Sequence, residues 1–137
     1  NPIVSIGPLL AGPGIADALR TRRADTVAIS PIVAGAALKG PADRLMRELG
    51  HEASVVGVAR LYRDLAATLV VDTADAGLAD AVESEGMACL VTDTIMSSPD
   101  VAAGLARRIL GMPAEDLTPD AGVTPTAGAS RNAEARR

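Results

Sequence analysis

Thr68-Leu-Val-Val-Asp-Thr-Ala-Asp-Ala-Gly-Leu-Ala-Asp-Ala-Val-Glu-Ser-Glu-Gly-Met-Ala-Cys-Leu-Val91 is the stretch that decides the fold class. Two short apolar runs, Thr68–Val71 and Ala88–Val91, flank a helical pattern over Leu78–Glu85. Such runs, continuous rather than alternating, suit strands covered on both faces of a sheet. Strand, helix and strand at this spacing predict a right-handed βαβ crossover and a parallel pair.

The same rhythm recurs outward from this unit. Ile3–Ile6 and Thr26–Ile29 are further apolar runs, and helical patterns occupy Ile15–Arg22, Ala42–Leu49, Val55–Ala66 and Pro99–Leu110. Punctuation supports the assignment. Pro41 fits a first helical position behind Gly40, and Gly50 stands where a left-handed cap belongs. Ser54 can cap the helix that carries Val55, Val58, Leu61, Tyr62 and Leu65 on one stripe. Ser98-Pro99-Asp100 opens the last helix and Gly111 closes it. The expectation is one α/β domain over residues 1–111, an open Rossmann-like three-layer fold with a mainly parallel sheet of four strands. From Met112 onward periodicity stops and Pro, Ala, Gly, Thr and Asp dominate, so 112–137 is expected to be a disordered tail.

Composition narrows the function. With 137 residues the chain can build one real core. A net charge of -4, no Phe or Trp, and Tyr62 as sole aromatic argue against a nucleic-acid surface, which needs stacking platforms and a basic groove. No apolar run approaches the ~20 residues that span a bilayer, and no signal peptide opens the chain. A cytoplasmic protein is expected. Cys89 stands alone inside a strand pattern, which predicts a buried, inert thiol. His51 has no Cys or His partner and reads as a surface residue beside a helix end. The opening on Asn1, almost inside a strand, suggests a piece of something longer.

Ligands of open parallel sheets bind beyond the carboxyl ends of the strands. Loops there are small and polar: Ser5, Gly7 and Pro8 after the first run, Ser30, Pro31 and the Gly35–Gly40 segment after the second. Asp72 and Asp75 follow the third, and Thr92, Asp93 and Thr94 the fourth. Lys39 draws notice because it is the one lysine among the 13 lysines and arginines. A compact ammonium just ahead of a helix start, whose free N–H groups carry partial positive charge, suits an anion such as phosphate. The Walker spacing is absent. Asp43 is either a first-turn acid favoured by the helix dipole or a ligand contact. Asp72, Asp75 and Asp93 could hold Mg²⁺ or cap the helices that follow. Ser5 and Ser30 lack a nearby base, so nucleophilic catalysis is a poor fit.

Asn1-Pro-Ile-Val-Ser-Ile-Gly-Pro-Leu-Leu10, Gly12-Pro-Gly-Ile15, Ser30-Pro-Ile-Val33, Leu38-Lys-Gly-Pro-Ala-Asp43, Val58-Ala-Arg-Leu-Tyr62 and Val91-Thr-Asp-Thr94 together closely resemble the CofD family, in order from Asn1 to about Leu110. The resemblance implies a transferase of coenzyme F-420 biosynthesis. Such enzymes move a phospholactyl or phosphoenolpyruvyl group from a guanosine diphosphate-linked donor to the hydroxyl of the deazaflavin Fo and release GMP. It also implies Mg²⁺, a homodimer, and a donor nucleotide or phosphate site made here of Lys39, Gly40, Ser30, Ser5, Gly7 and Asp43. Two departures stand out. Ala34 and Ala36 replace a second Gly and a polar residue of the family loop, and a methyl at 34 opposes a positive φ. Family members also carry an N-terminal half with a phosphate loop, metal ligands and much of the Fo pocket. This chain therefore looks like the C-terminal half alone, inactive by itself, with the catalytic residues elsewhere. A non-catalytic nucleotide-sugar-binding regulator of the YvcK-like type is the competing class; the Leu38–Asp43 and Val91–Thr94 runs favour the transferase.

Overall fold

The computed structural model describes residues 1–111, and the expected disordered tail lies outside them. Its centre is a parallel sheet of three strands, β1 (Val27–Ile29), β4 (Thr68–Val71) and β5 (Ala88–Val91), in the order β1-β4-β5. Val27, Ala28 and Ile29 stand opposite Thr68, Leu69 and Val70, which in turn stand opposite Ala88, Cys89 and Leu90. A separate antiparallel hairpin, β2 (Ile32–Val33) with β3 (Ala36–Ala37), follows β1 directly.

The fourth expected strand does not exist. Pro2–Ile6 forms a single π-helical turn, in which Ser5 and Ile6 both donate to the carbonyl of Asn1 at 3.2 and 3.1 Å. The Asn1 side chain accepts from the amides of Ile3 and Val4, and Pro2 sits where a helix needs no N–H. A side-chain cap and a proline start outweigh the β preference of Ile and Val. This turn runs on into α1 (Gly7–Leu10), and α2 (Ile15–Thr21) follows.

The remaining helices are α3 (Ala42–Glu48), α4 (Val55–Tyr62), α5 (Ala79–Ser84) and α6 (Pro99–Leu110). Ser54 accepts from Gly57 N–H and Ser98 from Val101 N–H, as N-caps do. Pro41 stands one place before the helix rather than in it. His51 N–H reaches the carbonyl of Met46, and Gly50 N–H that of Arg47, a Schellman close at the end of α3. The Leu78–Glu85 helix is shorter than its pattern: Thr73–Leu78 is a 3-10 turn and only Ala79–Ser84 is α-helical. The Val55–Ala66 helix likewise stops at Tyr62.

One face of the sheet carries the core. Ala28, Leu69, Val71, Cys89 and Val91 pack with Val55, Val58 and Ala59 of α4, Val82 of α5, and Ile32 and Met46. Cys89 is half-buried, and burial raises its thiol pKa, with Glu83 adding to the effect. At the amino ends of the strands, Arg23 spans the sheet: its Nε donates to the carbonyl of Arg63 and its guanidinium NH2 to that of Gly86, both at 2.6 Å.

Candidate functional site

β1 ends at Ile29, and the chain turns at once. Ser30 is buried, its N–H continuing the ladder to the Val70 carbonyl at 2.9 Å. Its hydroxyl accepts from Ile32 N–H and donates to the Ile32 carbonyl, at 3.1 and 2.9 Å. That hydroxyl shapes the turn, and its proton is already committed. The two-residue hairpin loop is Ala34-Gly35, with φ of 49° and 76°. Both signs are those of a type I′ turn, which favours Asn-Gly or Gly-Gly over alanine. Ala34 therefore adopts the positive φ that its methyl group opposes.

Two contacts fix this strained turn. Asp75, itself buried, accepts from Ala34 N–H at 2.9 Å, and Arg47 of α3 donates to the Gly35 carbonyl at 3.1 Å. Arg47 also pairs with Asp43 at 2.9 Å, and this hydrogen bond draws the Asp43 carboxyl below its ordinary pKa. Asp43 is thus bound to its own helix, in line with the dipole reading. Beyond β3 the chain exposes Leu38, Lys39 and Gly40, and Gly40 has φ 72°, where a side chain would be strained. Every ion pair among the described residues is made by an arginine, so the Lys39 ammonium has no carboxylate partner there.

Ser5 and Gly7 do not sit at a strand end. They lie on the helical N-terminal segment, with Ser5 exposed. That segment packs against α3, and Ile3 joins the core beside Ala42 and Met46. The segment is therefore a neighbour of the helix that Lys39 and Gly40 precede. α3 has only seven residues, so the dipole field at its start is smaller than the sequence suggested.

Of the aspartates at the other strand ends, Asp72 is the most heavily bonded. Asp72 accepts from the amides of Ala74 and Thr94 and the hydroxyl of Thr94, at 3.0, 2.9 and 3.0 Å. Those amide bonds, more than its burial opposes, lower its pKa. It caps the 3-10 turn and ties β5's exit loop to β4. Asp93 accepts from Thr73 at 2.8 Å. Among the described residues no three His, Cys, Asp or Glu side chains converge on a metal position. Asp72 is saturated and Asp75 holds Ala34, which leaves exposed Asp93, bonded only to the Thr73 hydroxyl, as the least committed of the three carboxylates.

A short parallel sheet with crossover helices and small, polar loops beyond its strand ends is the architecture of nucleotide-handling α/β proteins. Comparison with known sequences narrows that class. The model of the family described as 2-phospho-L-lactate transferase CofD matches residues 1–104. A phosphoenolpyruvate transferase of Kitasatospora aureofaciens is 41% identical over 113 residues, 82% of this chain and 35% of the relative. A 2-phospho-L-lactate transferase of Methanocaldococcus jannaschii is 39% identical over 110 residues, 80% of this chain and 34% of the relative. One of Methanosarcina barkeri is 38% identical over 112 residues, 82% and 36%. The chain belongs to the CofD family. It spans about a third of the length of these relatives, less than the half expected.

No single helix among the described residues is long and apolar enough to cross a membrane. Pro2–Leu10 and Ile15–Thr21 reach that length and composition only as a pair, bent by 94°.

Proposed function

We propose that this chain supplies the donor-phosphate side of a transferase that moves a phospholactyl or phosphoenolpyruvyl group from a guanosine diphosphate-linked donor to the hydroxyl of Fo. The relatives' names support the transferase over the regulator. In the reaction, the Fo hydroxyl oxygen attacks the phosphorus bearing the lactyl or pyruvyl group. The bridging P–O bond to the guanylate breaks, GMP leaves, and the hydroxyl proton is released. Transfer of this kind rests on positioning and on neutralising phosphate charge.

The single observation that carries the reading is Lys39: exposed, without an ion-pair partner among the described residues, and followed by a glycine at positive φ. Its ammonium would meet a diphosphate oxygen, while the loop at Gly40, bare of a side chain, lets the phosphate approach the backbone. Ser30 shapes the loop's entrance, Asp43 holds Arg47 against Gly35, and the Pro2–Ile6 turn that carries Ser5 packs against α3, with Gly7 directly after it. Mg²⁺ would enter on the donor's diphosphate, with its protein ligands in the part of the family's length that this chain does not span. The whole enzyme is proposed as a cytoplasmic homodimer, with this chain inactive by itself.

A chimera tests it. Let the 137-residue chain replace the matching segment of the Methanocaldococcus jannaschii relative. In calorimetric titration with GDP and Mg²⁺, Lys39→Ala should weaken binding about 10-fold, or ~1.4 kcal/mol, and Lys39→Arg should recover part of it. Equal affinity for Lys39→Ala and the unsubstituted chimera removes Lys39 from the site.

A further inference from the structure

Asp75 is a buried carboxylate whose bond reaches well outside its own element. It stands in the 3-10 turn after β4, where its N–H donates to the Asp72 carbonyl at 2.9 Å. Asp72 caps that turn and also binds Thr94 beyond β5, so the turn is tied to the exits of both strands. From this fixed place Asp75 Oδ2 accepts from Ala34 N–H, 41 positions earlier, at 2.9 Å. A carboxylate that accepts a backbone N–H makes a strong hydrogen bond, and burial strengthens it because water does not compete. Arg47, the other contact to the turn, has a side chain 56% exposed and bonds at 3.1 Å. Asp75 is the firmer of the two anchors.

The consequence lies beyond the turn. β2 and β3 pair over two residues each, Ile32 with Ala37 and Val33 with Ala36. So short a ladder fixes little by itself, and the register of a hairpin is set by its turn. The turn here takes a conformation that Ala34 resists. β2 is anchored at Ser30 and Ile32, both buried, so a relaxed turn displaces β3. A slip of one residue moves β3 by about 3.3 Å and exchanges the faces of Ala36 and Ala37. Lys39 and Gly40 lie just beyond Ala37 and move with it. We infer that Asp75 is a positioning residue: by holding the Ala34 N–H it sets the hairpin register, and through the hairpin the place of Lys39 and Gly40. Its effect on binding rests on the donor-phosphate reading, whereas the order of the loop is read without any donor.

Two measurements test it. In the 137-residue chain, NMR relaxation should show Asp75→Ala lowering the backbone order parameters of residues 36–40 from the rigid value of about 0.85 toward the ~0.6 of flexible segments. Asp75→Asn keeps an oxygen that accepts from Ala34 and should hold them. In the chimera with the Methanocaldococcus jannaschii relative, Asp75→Ala should weaken binding of GDP with Mg²⁺ about 5-fold, or ~1 kcal/mol. Asp75→Asn should keep the affinity, and Ala34→Gly added to Asp75→Ala should restore it, because a Gly-Gly turn holds its conformation without the carboxylate. A carboxylate that itself touched the donor or its metal would not be so replaced. Thermal melts place each variant's midpoint above the assay temperature, and Asp75→Ser, one bond too short to reach Ala34, stands in where Asp75→Ala unfolds. Unchanged order parameters in Asp75→Ala overturn the inference, and so does failure of Ala34→Gly to restore binding. Weak binding by Lys39→Ala with tight binding by Asp75→Ala overturns the positioning role and leaves the donor reading standing. Tight binding by Lys39→Ala with lowered order parameters in Asp75→Ala removes the donor reading and supports the positioning of the loop.

Discussion

Ala34 shows how a single methyl group can record a compromise. At φ 49° it sits in the left-handed region, at a cost of about 1 kcal/mol for a residue with a Cβ. The Asp75 and Arg47 hydrogen bonds to the turn hold it there. Ala34→Gly should therefore raise stability by about 0.5 to 1 kcal/mol, the relief exceeding the entropy of an added glycine. A thermal melt reads it, and a lowered midpoint contradicts the strain. Asp72 makes the complementary case, because its carboxylate fastens two amides and a hydroxyl. Its folded pKa is depressed below its ordinary value of 3.8. Its stabilisation is therefore present above that value and lost as pH falls through the lower, folded pKa. Asp72→Asn should flatten the loss of stability below about pH 4, and an acid limb as steep as in the unsubstituted chain would show that other carboxylates set it. The caps at Ser54 and Ser98 were legible in the sequence because a cap acts within three residues. The Asp75–Ala34 bond was not, because its partners are 41 positions apart.

Among the elements, those with strong local grammar read correctly. α6 has its serine cap, its proline start and its glycine stop, and its bounds match the pattern to the residue. β4 and β5 also match, since a continuous apolar run between helices has few alternatives. Pro2–Ile6 misled because its apolar run has strand composition, while its outcome depended on Asn1 and Pro2 just ahead of it. The β2–β3 hairpin was hidden for the opposite reason: its strands are two residues each, below any period, and its turn lacks the usual asparagine. Between elements, Arg23 ties the end of α4's connection to the end of α5's through two carbonyls. Arg23→Ala should destabilise the chain by about 1 kcal/mol, since two exposed carbonyls exchange a charged donor for water. Chemical denaturation with an unchanged midpoint would reject that role.

For the molecule as a whole, the sequence conveyed the α/β class and the family, because both are spread over many residues and survive local errors. The candidate site was legible only as a composition: one odd lysine among glycines. Its form depends on a strained hairpin, which no spacing rule foresees, and on α3, which the Ala42–Leu49 pattern announced. Of the carboxylates suggested for a metal, Asp72 and Asp75 are buried and bound to amides and a hydroxyl, while Asp93 is exposed and meets only the Thr73 hydroxyl. The Lys39 experiment belongs at this scale, because it asks what the chain does within the proposed transferase.

The Arg23 clasp carries a last implication. Its two acceptors and its own backbone lie just before β4, β5 and β1, so one guanidinium gathers the entrances of all three parallel strands. The molecule therefore has a stiff pole and a permissive pole. Strand spacing is secured at the amino ends of the strands, away from Lys39 and Gly40, so substitutions in the opposite loops outside the Asp72 and Asp75 bonds need not shift the sheet. On the proposed donor-phosphate reading, substitutions that retune donor choice should accumulate at the permissive pole, while the stiff pole tolerates few.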